Sequence, residues 1–175
     1  MTDCCKNSNS YIFLEERNTW LVAAEADFIK LCRFEPFKST GRGGQKKNKT
    51  SSAVRLVHIP TSISVEASGS RSQHENRSEA IKKMKFRLAL LVRSKNSPVP
   101  EPLEMSMNNA KYPQWVAFVV DNLFDCGFDI KEAAIQIGFS SSKLAKLLFR
   151  DSNLWQDINF RRGQNNLPPL RNPKS

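Results

Sequence analysis

From residue 38 to residue 58 the chain reads Lys-Ser-Thr-Gly-Arg-Gly-Gly-Gln-Lys-Lys-Asn-Lys-Thr-Ser-Ser-Ala-Val-Arg-Leu-Val-His. Gly43 and Gly44 have no Cβ, so their backbone reaches conformations and tight spaces closed to other residues. Gln45 follows with an uncharged amide that both donates and accepts, and Arg42, Lys46, Lys47 and Lys49 flank these three residues with positive charge. A slim neutral tip on a cationic stalk suits a crowded, phosphate-lined site. Seated there, the Gln45 backbone N–H would stabilise an oxyanion or a leaving alkoxide, a type of donor worth about 2.7–4 kcal/mol in enzymes. The residues alone also allow a plain basic surface loop. Two phosphate cradles are ruled out by residue identity, because a dinucleotide loop and a P-loop begun at Gly41 would both need glycine where the chain has Lys46.

The charge around this segment points to its partner. Of 175 residues, 27 are Lys or Arg and 17 are Asp or Glu, a net +10. Residues 38–95 hold 14 basic and 3 acidic side chains, while 1–37 hold 4 and 6, and 96–175 hold 9 and 8. The middle third therefore carries the whole excess, far more than solubility requires, and a phosphate backbone is the expected partner. Cys4, Cys5, Cys32 and Cys126, with His58 and His74, satisfy no zinc spacing, so no metal is expected and no cofactor either. No apolar run approaches the roughly 18 residues of a membrane span, and the N-terminus lacks a signal-peptide layout. Reduced thiols, a cytoplasmic location, no membrane contact and a monomer are the expectations.

The elements that must hold this segment form an α+β unit over residues 25–93, preceded by an N-terminal extension, 1–24. Glu25 to Ile29 reads as a short helix with acidic residues in its first turn. Cys32–Phe37 and Ala53–His58 read as strands on either side of the loop, and Ile59 to Ser62 as a turn. Ile63, Val65 and Ala67 alternate with polar residues, the mark of a half-buried strand. Ser72-Gln73-His74-Glu75 is a capping box opening a helix in which Ile81, Met84, Leu88 and Leu91 share one face, and Lys82, Lys85 and Arg93 another. Three alternating prolines, Pro98, Pro100 and Pro102, then mark a linker over 94–109.

Residues 110–162 read as all-helical, followed by a tail, 163–175. Trp115 to Phe124 is an apolar helix with Gly127 as its stop, and Trp115, Phe118, Leu123 and Phe124 are expected core. Asp129 caps a helix over Ile130–Ile137, Gly138 turns the chain, and Ser140 or Ser141 caps another to about Arg150. Ala134, Gly138, Leu144 and Leu147 fit a helix-turn-helix, with Lys143, Lys146 and Arg150 on one exposed face. The pattern fits a helical packing module, a nucleic-acid reader or a protein-docking unit. Trp20 is either core or part of an exposed patch.

Gly41-Arg42-Gly43-Gly44-Gln45, Asn48-Lys49-Thr50, Ser52-Ala53-Val54-Arg55, His58-Ile59-Pro60-Thr61 and Arg71-Ser72-Gln73 with Asn76 stand in unbroken order. Together with Cys32-Arg33-Phe34-Glu35 before them, they resemble the catalytic domain of class-I peptide chain release factors. The resemblance implies a small mixed sheet with a protruding loop. It also implies hydrolysis of the ester joining a nascent peptide to transfer RNA in the ribosomal peptidyl-transferase centre. Gly43, Gly44 and Gln45 would be the catalytic tip, with the ribosome, its large-subunit RNA and peptidyl-tRNA as partners. Arg42, Lys46, Lys47, Lys49, Arg55, Arg71, Lys82 and Lys85 would touch RNA, and in the helical unit so would Lys143, Lys146 and Arg150.

Departures qualify the resemblance. Lys46-Lys47 replace the family's usual His or Asn followed by Val, and Ser62 stands where the family has glycine. About 25 residues precede the match and no codon-reading motif is visible. The chain therefore resembles the short, codon-independent members that rescue stalled ribosomes, except that a nearly neutral helical unit replaces their basic tail. Two rival readings remain: an RNA-binding module without catalysis, aimed by the helix-turn-helix, and a hydrolase acting on separated large subunits. His58 reads as a strand histidine rather than a catalyst, and His74 as a cap or an RNA neighbour.

Overall fold

The computed structural model describes residues 11–37 and 53–173. The predicted tip Gly43–Gln45, with Arg42, Lys46, Lys47 and Lys49, lies outside the described residues. The chain divides into two units, one ending at Arg93 and the other starting at Ser94.

The first unit contains β1 (Ile12–Phe13), α1 (Arg17–Val22), α2 (Glu25–Lys30), β2 (Cys32–Phe37), β3 (Ala53–His58), β4 (Ser64–Ala67), α3 (Gln73–Leu91) and β5 (Val92–Arg93). Strands β2, β3 and β4 form an antiparallel sheet in that order, with Phe37 opposite Ala53 and Val54 opposite Ala67. The two-residue alternation decides which face is covered. Val54, Leu56 and His58 point to the buried side, whereas Arg55 points out. Helix α3 packs on β3 and β4 through Ile81, Met84 and Leu88, which are fully or almost fully buried. Each such side chain contributes about 1.5–3 kcal/mol.

The capping box is half realised. Ser72 Oγ accepts from Glu75 N at 3.3 Å, and Ser70 Oγ joins the pair by accepting from Ser72 N at 3.0 Å and donating to the Glu75 carboxylate. The helix stops at Leu91, so Arg93 belongs to the short strand β5 and is buried, not on a basic helix face. Strand β5 pairs in parallel with β1, and α1 packs on α3. Trp20 is core, edge-on to His58 with centroids 4.6 Å apart.

The second unit contains α4 (Tyr112–Asp125), α5 (Ile130–Ile137), α6 (Ser141–Phe149) and α7 (Ser152–Gln164). Residues 94–111 contain neither helix nor strand, yet Leu103 O accepts from Trp115 Nε1 at 2.9 Å and Met105 is buried. Local signals set the helix ends. Asp129 Oδ1 accepts from Lys131 N and Glu132 N, and Ser140 Oγ from Lys143 N. Gly127 and Gly138 have φ of 56° and 85°, the left-handed region where lacking a Cβ matters. The core holds Trp115, Val119, Val120, Leu123, Ala134, Leu144, Leu148, Leu154 and Ile158. Among the described residues, no helix is long and apolar enough to cross a membrane.

Candidate functional site

The sheet fixes where the segment 38–52 must begin and end. Residues 38–52 join Phe37 to Ala53, which face each other across the antiparallel pair. Strand β4 returns alongside β3, so Ala67, opposite Val54, ends on the same side of the sheet. The loop 68–72 and the start of α3 follow there, which brings exposed Arg71 and His74 to the end of the sheet where the segment is rooted. Asn76 pins that corner from the buried side. Its Nδ2 donates to Ser70 O at 2.8 Å, and its Oδ1 accepts from Ser70 N at 2.9 Å.

Arg55 lies on the outer face of β3 between Glu35 and Glu66, its register partners on either strand. Its Nε and Nη2 donate to Glu66 Oε1 at 2.9 and 2.7 Å, and Glu35 Oε2 lies 3.9 Å from Nη1. The guanidinium is held above its ordinary value chiefly by the Glu66 hydrogen bond, so phosphate would have to compete with two carboxylates for it. Lys85 turns inward. Its Nζ donates to Ala23 O at 2.7 Å and lies 5.2 Å above the Phe28 ring, closing the end of α1. Burial lowers its pKa. Lys82 is exposed along α3.

Helix α3 carries further cations beyond Lys82 and Lys85. Arg77 stacks over Phe34 at 4.3 Å, Lys83 lies 3.8 Å from Glu79, and Arg87 is exposed. The helical spacing around Lys82 contained that signal.

His58 sits in an aromatic box. Its Nδ1 meets Thr61 Oγ1 at 2.9 Å, the Phe28 ring stacks at 5.9 Å, and Nε2 is buried without a hydrogen-bond partner among the described residues. Burial pushes its pKa down to about 4, so the ring is neutral at pH 7 and acts as a packing group. The Cys32 thiol, pushed up to about 11 by burial, is no nucleophile at that pH.

In the second unit Lys143 and Lys146 lie on α6 and Arg150 is its C-cap residue, and all three are exposed. Lys143 Nζ pairs with Glu104, and its ammonium also stands 4.7 Å from the Phe139 ring. The hydrogen bond from Lys143, joined by the charges of Lys143 and Arg150, lowers the Glu104 pKa. Of the three predicted contact cations, Lys143 is thus paired with a carboxylate of its own unit, and Arg150 borders the same cleft as that carboxylate.

Comparison with known proteins relates the sheet unit to a family. A model of the RF-1 domain matches residues 29–114. Peptide chain release factor 2 of Nitratiruptor sp. is 45% identical over 74 residues, covering 42% of this chain and 20% of that protein. Peptide chain release factor 2 of Burkholderia cenocepacia is 38% identical over 90 residues, 51% of this chain and 24% of that protein. Peptide chain release factor 1 of Xylella fastidiosa is 45% identical over 65 residues, 37% of this chain and 18% of that protein. The match spans no more than about a quarter of the length of these relatives. Through the sheet and helix that root residues 38–52, and through this match, residues 29–114 are identified as a domain of the RF-1 type, similar to that of class-I peptide chain release factors.

Proposed function

We propose that this protein hydrolyses the ester of peptidyl-tRNA in the ribosomal peptidyl-transferase centre, without reading a stop codon. The observation that carries the reading is the position of Gly43-Gly44-Gln45. Gln45 is the middle residue of the fifteen that join Phe37 to Ala53, inside the region matching the RF-1 domain. At about 3.3–3.6 Å per extended residue, the seven residues on either side of Gln45 set an upper limit of roughly 25 Å between its backbone and the sheet. That reach, on an arm bearing Arg42, Lys46, Lys47 and Lys49, suits delivery into an RNA-walled pocket.

In that pocket the Gln45 amide orients a water molecule whose oxygen attacks the ester carbonyl. The bond from that carbon to the ribose 3′-oxygen breaks, one water proton passes to the leaving oxygen, and the other is released to solvent. The products are a free peptide carboxylate and transfer RNA. The Gln45 backbone N–H stabilises the developing negative charge, and ribosomal RNA supplies the remaining contacts. Stop-codon independence rests on the resemblance to the short rescue-type members, in that no codon-reading motif is visible in this sequence.

Gln45→Ala tests the chemistry. The variant should co-sediment with ribosomes as the wild type does, while peptide release from ribosomes stalled on truncated message falls by about two orders of magnitude or more. Release at the wild-type rate would overturn the mechanism. Release confined to ribosomes holding a stop codon would overturn the codon-independent part. Faster release from isolated large subunits than from intact ribosomes would move the substrate to split particles.

A further inference from the structure

Helix α6 is flanked by two different stretches of its own unit. On one side lies residues 104–108, where Glu104 pairs with Lys143 and a cleft of about 410 Å³ also borders Arg150. On another side the chain returns after α7. Arg162 Nε donates to Pro168 O at 3.0 Å and Leu170 N donates to Asn159 Oδ1 at 2.7 Å, which fixes the course of residues 167–170. A second cleft, of about 470 Å³, lies between α6 and residues 170–173.

The chemistry of the two clefts differs. The first includes a carboxylate. The second is bordered by Ser141, Ser142 and Lys146 from the helix and by Arg171 and Asn172 from the returning chain, and among the described residues no acidic one lines it. Lys146 and Arg171 are exposed, and among the described residues neither has an ion-pair partner. Two uncompensated cations from separate segments, with hydroxyl and amide donors between them, are the set that proteins use on sugar-phosphate backbones.

We infer that the cleft between α6 and residues 170–173 is a second RNA-backbone site, held by Lys146 and Arg171, and that the Lys143–Arg150 side of the helix is not. The inference extends the helical unit's part in RNA contact and is separable from ester hydrolysis, since the cleft can hold a phosphate backbone whatever Gln45 does.

The test uses the full 175-residue chain, isotopically labelled, with a 12-nucleotide single-stranded uridine RNA as the probe. On titration the amides of Ser142, Ala145, Lys146, Arg171 and Asn172 should shift, alongside amides of the first unit. The double variant K146E/R171E should lose the second-unit shifts and keep those of the first. It should also lower the slope of log affinity against log salt by about 2, whereas K143Q should leave that slope within about 0.5 of wild type. Shifts confined to the first unit would overturn the site. So would a response to a poly-glutamate peptide but not to RNA, which would make the cleft a protein-docking surface. A larger loss for K143Q than for K146E/R171E would return the contact to the other side of the helix.

Discussion

The two units use their charged and polar groups in different ways. Among the described residues of the sheet unit the buried polar side chains are Arg17, His58, Asn76 and Arg93, with no carboxylate among them, and surplus cations stand exposed along α3. In the helical unit the buried set holds both signs, Asp121 and Asp151 with Arg161 and Arg162, and the exposed cation Lys143 is paired. Net charge alone would assign RNA contact by region. Pairing assigns it by residue: in the first unit Arg55 and Lys85 are committed to Glu66 and to the end of α1, and in the second Lys143 is committed to Glu104. A basic residue is available to a phosphate only to the extent that its own fold leaves it unused.

If carboxylates in the helical unit serve folding, removing a buried one should show the largest effect on stability. Asp151 is 4% exposed. Its Oδ1 accepts from Asn153 N at 2.9 Å and Leu154 N at 3.2 Å, capping α7, and its Oδ2 accepts from Tyr112 Oη at 3.0 Å. Burial, then the Asp151 charge and hydrogen bond, push the Tyr112 phenol up, so it stays a donor. Asp151→Ala loses a cap worth about 1 kcal/mol and orphans a buried hydroxyl at about 1–3 kcal/mol, for a total of about 3 kcal/mol. Ser140→Ala, which removes an exposed cap from α6, should cost about 1 kcal/mol. Hydrogen exchange of the α4 and α7 amides reads both. Adding Tyr112→Phe to Asp151→Ala should recover part of the loss, because the orphaned hydroxyl goes with it. Equal costs for the two cap variants would erase the contrast.

The sheet unit should respond instead to acid, through its buried base. His58 titrates at about 4 in the fold, against an ordinary 6.5 in the unfolded chain, because burial opposes the imidazolium. Between those values the unfolded chain binds the extra proton, so stability is full above about 6.5 and falls as the pH drops towards 4. That separation corresponds to about 3 kcal/mol at most. Carboxylates titrate over part of the same range, so the informative quantity is a difference. Urea midpoints measured from pH 7 to pH 4 should fall more steeply for the wild type than for His58→Phe, which keeps a ring beside Trp20 and Phe28. Parallel curves would mean that His58 is not buried as a neutral ring.

What the sequence allowed to be read follows the same division between local and distant causes. Strands β2 and β3, helix α5 and the start of α3 match their expected bounds, because alternation, an Asp or Ser cap and a turn glycine act within a few residues. Helix α7 has no separate place in the sequence reading, although Asp151 at its cap and Leu154 and Ile158 at i, i+4 spell its start. Helix α1 gave less to read: Glu16 makes no side-chain cap bond, and the helix is held by Arg17 reaching Val92 O at 3.0 Å, 75 residues away. The parallel pair β1–β5 is two residues long and likewise depends on distant partners. At the candidate site the order of motifs placed the segment between β2 and β3, but the pairing of Lys143 with Glu104, 39 residues apart, leaves no trace in periodicity. Arg55 is intermediate, since hairpin register sets it opposite Glu66 once the strands are known.

The smallest expected effect concerns the turn at the other end of β3 from residues 38–52. Ser62 replaces the family's glycine, and the turn keeps the geometry that glycine would favour: Ser62 has φ of 57°, its N–H donates to His58 O at 2.8 Å, and His58 N–H donates to Ile63 O at 2.8 Å. A side chain in the left-handed region costs about 1–2 kcal/mol relative to the right-handed one. Glycine removes that strain but gives the unfolded chain more freedom, an opposing term of about 0.4–1 kcal/mol. Ser62→Gly should therefore stabilise the sheet unit by about 0.5 kcal/mol, and Ser62→Val, β-branched at a positive φ, should destabilise it by more than 1 kcal/mol. Because the turn closes over His58 through Thr61 Oγ1, the glycine variant should also leave the acid sensitivity of the unit unchanged. A shift in that pH profile would mean that the turn, rather than the aromatic box, sets the environment of the ring, and the sheet unit would then be less sharply divided from the helical one in how it holds its polar groups.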